Sequence, residues 1–573
     1  MKYYKKQNIK YSIRLGFMGS ILLTALMGLT WRVIDLQVFE KKFLTSQGNA
    51  RTMRVVTTAP YRGMITDRNG EPLAISTPVD SVWVNPKEFD NTPQKIQQLA
   101  RILEISEAQL LKRLQKNAER EFLFLKRHVS PEISDKVRKV EMNGVHLKSE
   151  YRRYYPAGEV TAQVLGFTNL DGQGQEGLEL TYNEHLKGSP GSKRIIRDRR
   201  GRQVEYIEAL KDMRSGQNVT LSLDQRLQYL AYRELKEAVS AHRAAAGSAV
   251  VLDVETGEIL AMVNQPSYNP NLRIRHRDDS FRNRAVTDVF EPGSVIKTFS
   301  VLSALQHGRV TPATLIDTSP GWLNIGGKFV REDKNKNHGV IDIATIMKKS
   351  SNVGVTKLTL SLPPEKLWDT YVRVGFGKVT GSGFPGESAG NIIRPHKNSP
   401  FVLATMAFGY GLTVTPLQLA QAYAIIGAEG VRHSAQFLKV EKPTSSEQII
   451  DPATAEQLID MLTGVVEQPG SNAKVVGYHV AGKTGTARKA SKNGYSPNEH
   501  LSVFAGLIPA KNPRFSIVVM IDKPQGGVYY GNLVAAPIFS KIASGAVRLF
   551  NIAPDILEPA GFHVAQSDKL PRE

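Results

Sequence analysis

The chain has 573 residues, a net charge of +20, a hydrophobic fraction of 41% and no cysteine. At roughly 100–200 residues per domain, this length provides for about three domains, and the apolar fraction excludes a wholly disordered chain. The lack of cysteine excludes a disulfide framework, a thiolate nucleophile and zinc–cysteine or iron–sulfur centres, so any nucleophile must carry oxygen or nitrogen.

The N-terminus predicts a single membrane anchor. Residues 1–14 hold five cations and no acid, and the run from Leu15 to Trp31 is uncharged. At ~1.5 Å per residue a helix over 15–36 spans a ~30 Å hydrocarbon core. The positive charge that precedes the span predicts a cytoplasmic N-terminus, with the rest of the chain outside the inner membrane. The alternative, a cleaved signal peptide, is disfavoured because the apolar run is long and no A-x-A site follows.

Residues 37–218 are predicted to form an α+β interaction module, a pedestal without catalytic features. Short alternation at Met53–Val56 favours a strand, and Glu107–Leu114 favours a helix. The positive charge outside the N-terminal tail is scattered among acidic residues. Since no basic–aromatic recognition motif accompanies it, nucleic acid is not an expected partner.

Residues 219–552 predict a second α+β domain, followed by a tail at 553–573. Two apolar runs flank Glu255-Thr256-Gly257 and predict an antiparallel hairpin. Further strands are predicted at 501–510 and 514–522, and a core-facing helix at 534–550. Together they predict an antiparallel sheet that is flanked by helices and assembled from both ends of this half of the chain.

The first candidate for chemistry is the segment E-P-G-S-V-I-K, which ends at Lys297. Pro292 and Gly293 interrupt the preceding chain, so Ser294 is expected to begin a helix with Lys297 about one turn away on the same face. A serine is a poor nucleophile until a base removes its proton, and a lysine is such a base only when its amine is held neutral. The pattern alone is weak because it recurs at Ser471–Lys474.

Two further motifs follow in the chain. The sequence S-S-N at Ser350–Asn352 offers a hydroxyl that can relay a proton and an amide that can both donate and accept. K-T-G-T begins at Lys483. If Tyr478–Ala487 is a strand, its period of two places the hydroxyls of Thr484 and Thr486 on one side, where they can hold a substrate carboxylate. Gly485 then permits a close approach of the backbone.

The order of these motifs is more specific than any one of them. Ser350 lies 56 residues after Ser294, and Lys483 lies 133 residues after Ser350. This arrangement resembles the S-x-x-K, S-x-N and K-T-G motifs of penicillin-binding proteins and serine β-lactamases. Segments that include RGMITDRNG at 62–70, RRYYP at 152–156, EGLE at 176–179 and FGYGLTVTPLQLAQAYA at 408–424 resemble the class B transpeptidases, especially the septal enzymes of Gram-negative rods.

The resemblance implies a peptidoglycan D,D-transpeptidase that β-lactams inhibit covalently and that needs no cofactor or metal. Ser294 would attack the D-Ala-D-Ala carbonyl with Lys297 as base. Ser350, Asn352 and Lys483 would pass the proton to the departing D-Ala, while Thr484, Gly485 and Thr486 would bind the substrate. The resemblance also implies an all-helical subdomain beside the sheet, and divisome membrane partners such as a glycosyl-chain polymerase of the FtsW type.

Other functions remain as alternatives. The run from Gly477 to Thr484 fits the phosphate-binding pattern G-x-x-x-x-G-K-T, but the residues that follow do not favour the required helix. Glu387 echoes the deacylating glutamate of some β-lactamases, although it lies in a Gly/Pro-rich stretch. A β-lactam sensor or a division scaffold with a vestigial site is the third possibility. The sequence leaves open a septal or an elongation role, the balance of transpeptidase and carboxypeptidase activity, and the oligomeric state.

Overall fold

The computed structural model describes residues 2–197, 203–272, 279–395, 399–491 and 494–556 of the chain. It has the predicted α+β class and consists of two compact units. Unit 1 comprises residues 1–61, 78–151 and 188–215, and unit 2 comprises 62–77, 152–187 and 216–573. Two segments of the predicted pedestal, 62–77 and 152–187, therefore belong to the same unit as the predicted second domain. The tail predicted at 553–573 lies outside the described residues from 557 onward.

Unit 1 begins with a long helix, Lys2–Ile34, which continues through a π-helical turn at Asp35–Phe39. Within it, Tyr11–Phe39 is long and apolar enough to cross a membrane, with a mean hydropathy of 1.6. Its large apolar side chains, such as Leu22 and Trp31, are exposed in the protein. An apolar surface of this length has no protein to cover it, which fits the predicted anchor at 15–36. A second helix follows at Lys41–Thr52.

The remainder of unit 1 is a small α+β body. A three-stranded antiparallel sheet is formed by Met53–Thr58, Gly191–Arg197 and Gln203–Lys211. The later residues of Pro72–Val84 pair with Leu123–Val129, beside the helices Pro93–Leu103, Glu107–Lys116 and Pro131–Val140. The predicted strand at Met53–Val56 and the predicted helix at Glu107–Leu114 are confirmed, each extended by two residues.

The segments 62–77 and 152–187 bring three sequence motifs together within unit 2. Arg62 of the R-G-M-I segment and Arg153 of R-R-Y-Y-P both pair with Glu179 of E-G-L-E, at 2.6 Å each. Glu179 is fully buried, so the two guanidinium groups compensate a charge that would otherwise be costly inside the protein. Strand Ile65–Thr66 pairs with the early residues of Pro72–Val84 and, in parallel, with Val219–Thr220. Strand Val145–Tyr154 runs into this region.

The main sheet of unit 2 has five antiparallel strands and is built from both ends of the second half of the chain, as predicted. Their order is Ile259–Gln265, Ala246–Asp253, Phe515–Asp522, Gly494–Ile508 and Ala481–Ser491. The hairpin around Glu255-Thr256-Gly257 is confirmed. The last strand was predicted at Tyr478–Ala487, and it instead begins at Ala481, after a turn in which Tyr478 bridges to Val475. This strand forms one edge of the described sheet.

Helices cover both faces of this sheet. Gln225–Ala241 and Gly531–Leu549 pack on one face and Pro416–Gly427 on the other, with alternate strand residues entering two separate cores. The predicted helix at 534–550 is therefore confirmed. A helix-rich layer completes the unit. Its main helices are Lys297–His307, Ile343–Lys349, Asn352–Leu360, Pro364–Arg373, Pro400–Met406 and Pro452–Val466.

Shorter elements connect these layers. Short helices lie at Ala162–Leu165, Gly177–Thr181, Asn183–Leu186 and Arg284–Thr287. The short strands are Leu315–Asp317, Trp322–Ile325, Lys328–Arg331, Val340–Asp342, Asn391–Ile392, Leu412–Thr413, Val431–His433 and Ser446–Gln448. One of these pairs, Trp322–Ile325 with Lys328–Arg331, forms a hairpin that leads directly into the candidate active site.

Candidate active site

The candidate nucleophile lies in a tight turn rather than in an α-helix. Gly293–Ile296 form a 3₁₀ turn, and the α-helix begins only at Lys297. Gly293 has φ +57°, in the left-handed region that glycine adopts without strain. The prediction that Ser294 begins the helix is therefore wrong by three residues, since the α-helix begins at Lys297. This turn brings the side chains of Ser294 and Lys297 to the same side, because side chains three residues apart eclipse each other in a 3₁₀ turn.

Lys297 is the most buried cation of the site, with 0% exposure. Its Nζ donates to the backbone oxygen of Ser350 and to Oδ1 of Asn352, the latter at 2.7 Å, and lies 3.2 Å from the Ser350 hydroxyl. Burial, and then the nearby charge of Lys483, lower the pKa of Lys297 well below its usual range. Burial and a second cation are the two conditions that allow a lysine to act as a base.

Ser350 and Asn352 lie at the junction of two helices. Ser350 ends Ile343–Lys349 in a left-handed conformation with φ +55°, which is strained for a residue with a Cβ. Asn352 begins the next helix, and its Nδ2 donates to the backbone oxygen of Arg331 at 2.9 Å. That bond orients the amide so that Oδ1 faces Lys297.

The strand Ala481–Ser491 lies against the turn of Ser294 because Gly485 has no side chain. A Cβ on Gly485 would come within 2.8 Å of the Pro292 oxygen. The sequence predicted a close backbone approach at this glycine, and the partner in the structure is the nucleophile turn. The hydroxyl of Thr486, the next residue of the strand, accepts the backbone N–H of Gly531 at 3.0 Å. Gly531 is the first residue of the helix Gly531–Leu549.

Lys483 is buried beneath the same strand, with 1% exposure. Burial lowers its pKa to about 8. At neutral pH Lys483 therefore remains largely protonated. Both amines are thus easier to deprotonate than an exposed lysine, and the charge of Lys483 adds to this effect at Lys297.

A cavity of about 390 Å³ opens above these groups. Five of the eight predicted site residues line it: Ser294, Ser350, Asn352, Thr484 and Thr486. Lys297 and Lys483 lie buried below, and Gly485 holds the strand in place. The lining also contains groups that the sequence did not single out: Arg331, Asp333, Lys349, Phe408, Tyr410, Ala487, Arg488, His500, Tyr529 and Tyr530. The three cations Arg331, Lys349 and Arg488 outnumber the one acid of this lining, Asp333, so the charge of the cavity favours an anionic substrate.

One buried residue beside the site was missed by the sequence reasoning. Glu332, with 4% exposure, follows the hairpin strand Lys328–Arg331 and contacts the S-S-N segment through its carboxylate. It lies 18 residues before Ser350, at no motif spacing. No signal in the sequence pattern links the two segments.

The structure rejects the phosphate-binding alternative. That pattern requires Lys483 and Thr484 in a loop that leads into a helix, whereas both lie inside the strand Ala481–Ser491. Glu387 is also occupied elsewhere: its carboxylate accepts bonds from Thr380 and from Ser382, the latter at 2.8 Å. It is not among the residues that line the cavity.

Comparison with known proteins agrees with this geometry. Residues 247–544 match the model of the penicillin binding protein transpeptidase domain, and residues 57–221 match the penicillin-binding protein dimerisation domain. The peptidoglycan D,D-transpeptidase FtsI of Escherichia coli K12 is 42% identical over 553 residues, which cover 95% of this chain and 93% of that protein. The probable peptidoglycan D,D-transpeptidase PbpC of Pseudomonas aeruginosa PAO1 is 41% identical, over 94% of this chain and 95% of that protein.

Solved structures extend the comparison to the fold. Penicillin binding protein 3 of Mycobacterium tuberculosis, complexed with aztreonam, matches with a TM-score of 0.67 at 27% identity, over 88% of this chain and 100% of that chain. The transpeptidase domain of penicillin-binding protein 3 from Burkholderia pseudomallei matches with a TM-score of 0.54 at 39% identity, over 59% of this chain and 98% of that chain.

Proposed function

The chain belongs to the class B penicillin-binding proteins, and we propose that it cross-links peptidoglycan stem peptides through an acyl-enzyme on Ser294. It is a peptidoglycan D,D-transpeptidase of the serine type and a target of β-lactams. The observation that supports the assignment to Ser294 is the buried amine of Lys297 one turn along, with Lys483 beside it as a second cation. Without such surroundings the lysine would stay protonated and could not remove the proton of the serine.

Acylation begins when the oxygen of Ser294 attacks the carbonyl carbon of the penultimate D-Ala and its proton passes to the neutral amine of Lys297. A neutral amine has only two N–H groups, and the backbone oxygen of Ser350 and Oδ1 of Asn352 accept them. The lone pair is then free to take a proton. Among the described hydrogen bonds of Lys297 Nζ, the Ser350 hydroxyl, 3.2 Å away, is the one partner that can also act as a donor.

Collapse of the tetrahedral intermediate breaks the C–N bond to the terminal D-Ala. The departing amine takes a proton that passes from Lys297 through the Ser350 hydroxyl. In the second half of the reaction an amine from a neighbouring stem peptide attacks the ester, its proton passes back along the same path to the oxygen of Ser294, and Ser294 leaves as the free hydroxyl. Backbone N–H groups of Ser294 and Thr486 would stabilise the oxyanion, at ~3–4 kcal/mol per donor in other acyl-transfer enzymes.

The substrate carboxylate is assigned to the K-T-G strand. Thr484 and Thr486 are two residues apart on an edge strand, so their side chains lie on one face, and both line the cavity. Lys483 supplies the positive charge from below. A β-lactam carries a carboxylate in the corresponding position relative to its reactive carbonyl, which explains why one site would bind both.

We further propose a cellular arrangement. The helix segment Tyr11–Phe39 is the single membrane anchor, and the cations that precede it hold the N-terminus in the cytoplasm. The catalytic unit then lies in the periplasm of the cell envelope. Residues 37–218 are assigned to the interaction domain and 219–552 to the transpeptidase domain, with the segments 62–77 and 152–187 of the former folded into the same unit as the latter. A septal role with an FtsW-type polymerase as partner is part of the same proposal, supported by the resemblance to FtsI.

Labelling and turnover test the catalytic part of this proposal. The full chain in detergent should form a covalent adduct with a fluorescent penicillin, and mass spectrometry should map it to the peptide that contains Ser294. Release of D-Ala from a D-Ala-D-Ala pentapeptide, with transfer to an added amine, should accompany it. An adduct at Ser350 or Ser471 would overturn the assignment, and labelling without turnover would favour a β-lactam sensor.

A further inference from the structure

We propose that Glu332 is a positioning residue that sets Ser350 and Asn352 against Lys297. The proposal rests on the proposed function, because it concerns how that same site is assembled. Glu332 does not line the cavity, so it is not expected to touch the substrate. Its action would be exerted through the S-S-N segment.

The carboxylate of Glu332 is held at the start of the helix Asn352–Leu360. One oxygen accepts the hydroxyl of Ser351 and the backbone N–H of Val353, the latter at 3.2 Å. The other accepts the backbone N–H of Asn352 at 2.7 Å. Free N–H groups and a partial positive charge meet at a helix N-terminus, so a carboxylate here is stabilising. Three donors are satisfied by one side chain that comes from a distant hairpin.

The hairpin holds the same asparagine from a second direction. The backbone oxygen of Arg331 accepts Nδ2 of Asn352, while Glu332 accepts its backbone N–H. Two consecutive residues therefore fix both the position of Asn352 and the orientation of its amide. Because Oδ1 then points at Lys297, the contact of 2.7 Å between them depends on this clamp.

Ser350 needs such a clamp more than an ordinary residue does. Its left-handed backbone, with φ +55°, is disfavoured and persists only where surrounding contacts hold it. On one side Ser350 is anchored by the end of the helix Ile343–Lys349. On the other side the anchor is Ser351, which is fully buried and bonded both to Glu332 and to the N–H of Gly354.

The charge of Glu332 also reaches the base. Lys297 faces Lys483 from the edge strand, Glu332 and Asp333 from the hairpin, and the neutral groups of Ser350 and Asn352. Burial and Lys483 lower the pKa of Lys297, whereas the two carboxylates raise it. Removing the charge of Glu332 would therefore lower that pKa further. The acylation rate should fall on the acid side of its pH profile as Lys297 is protonated, and this acid limb would move to lower pH.

Glu332→Gln tests the proposal with the full chain in detergent and a fluorescent penicillin as probe. Glutamine offers one acceptor oxygen and turns an NH₂ toward backbone donors, so we expect the first-order acylation constant to fall by about 10²-fold, as for other small misplacements of catalytic groups. The acid limb should move to lower pH. Glu332→Asp keeps the charge but shortens the reach, so it should leave the limb in place and recover part of the rate.

Asp342→Asn is the matched control. Asp342 caps the neighbouring helix through Thr345 at 2.7 Å and makes no contact with the S-S-N segment among the described hydrogen bonds. It should destabilise the fold without moving the acid limb. Wild-type acylation and an unmoved limb in Glu332→Gln would overturn the proposal. So would losses in Glu332→Gln and Asp342→Asn that match their losses in melting temperature.

Hydrogen exchange separates this proposal from the proposed function. In Glu332→Gln the amides of Asn352 and Val353 should exchange faster than in the wild type, whereas in Asp342→Asn they should not. This readout needs no acylation. A wild-type protein that fails to label Ser294 contradicts the proposed function alone, and unchanged exchange at these two amides contradicts the role of Glu332 alone.

Discussion

Two serine–lysine pairs with the same spacing lie in very different surroundings. Lys297 is fully buried and is fixed by Ser350 and Asn352, whereas Lys474 is exposed in a turn. Ser471 is the serine of the second pair, and its hydroxyl accepts the backbone N–H of Ala473. The comparison shows that the S-x-x-K spacing does not create a base. We expect a base only where the amine is buried beside a second cation, as that of Lys297 is.

The largest expected difference between the pairs is in covalent labelling. Ser294→Ala removes the only proposed nucleophile, so the fluorescent penicillin adduct should disappear completely. Ser471→Ala should label like the wild type, because Ser471 has no buried amine to take its proton. Gel fluorescence at matched protein concentration measures both. Labelling of Ser294→Ala at the wild-type level would show that Ser294 is not the residue that penicillin acylates.

Substitution of the two lysines should also have very different effects on the acylation rate. Lys297→Arg keeps a positive charge that cannot be lost in a protein, so acylation should fall by ~10²–10⁴-fold, the range of general-base catalysis. Lys474→Arg should leave the acylation rate unchanged. Stopped-flow or quenched labelling measures the rates, and thermal melting shows whether each variant is folded. Near-normal acylation by folded Lys297→Arg would remove Lys297 from the role of base.

The sequence predicted most of the fold where local patterns suffice. The hairpin around Glu255-Thr256-Gly257 and the helix at 534–550 were identified because alternating or helical apolar spacing reports burial directly. The start of the edge strand was misplaced by three residues. The sequence pattern carries the strand back to Tyr478, but Tyr478 closes a turn through its bridge to Val475, and the paired residues begin only at Ala481.

The site was predicted from motifs, and its supporting contacts were not. Motif order singled out Ser294, Ser350 and Lys483, and the structure brings them to one cavity or directly below it. Glu332 and the left-handed backbone of Ser350 could not be predicted, because each depends on a contact between distant segments. The 3₁₀ turn at Gly293–Ile296 could not be predicted either. Its geometry is set by the edge strand packed against it.

A variant of the K-T-G strand extends the comparison, because this strand packs against the turn that holds Ser294. Thr486→Val keeps the side-chain shape but removes the hydroxyl proposed to hold the carboxylate. A hydrogen bond to a charged group contributes about 1.5–3 kcal/mol, so acylation should weaken by roughly 10- to 100-fold. Thr486→Ser keeps the hydroxyl and should remain close to the wild type. Equal loss in both variants would assign the effect of Thr486 to packing of its methyl group rather than to its hydroxyl.

The smallest expected effect is a fall of the acylation rate at alkaline pH, an alkaline limb in the pH profile. The pKa of Lys483 is about 8, so its charge is half present at that pH, and acylation should fall about fivefold between pH 8 and pH 9. Unfolding would not explain this loss. A lysine whose folded pKa lies below its unfolded value makes folding more favourable as pH rises from about 8 toward 10.5. Lys483→Arg should be slower than the wild type but should lack the limb, since a guanidinium keeps its charge. An alkaline limb that persists in Lys483→Arg would have to arise from another group.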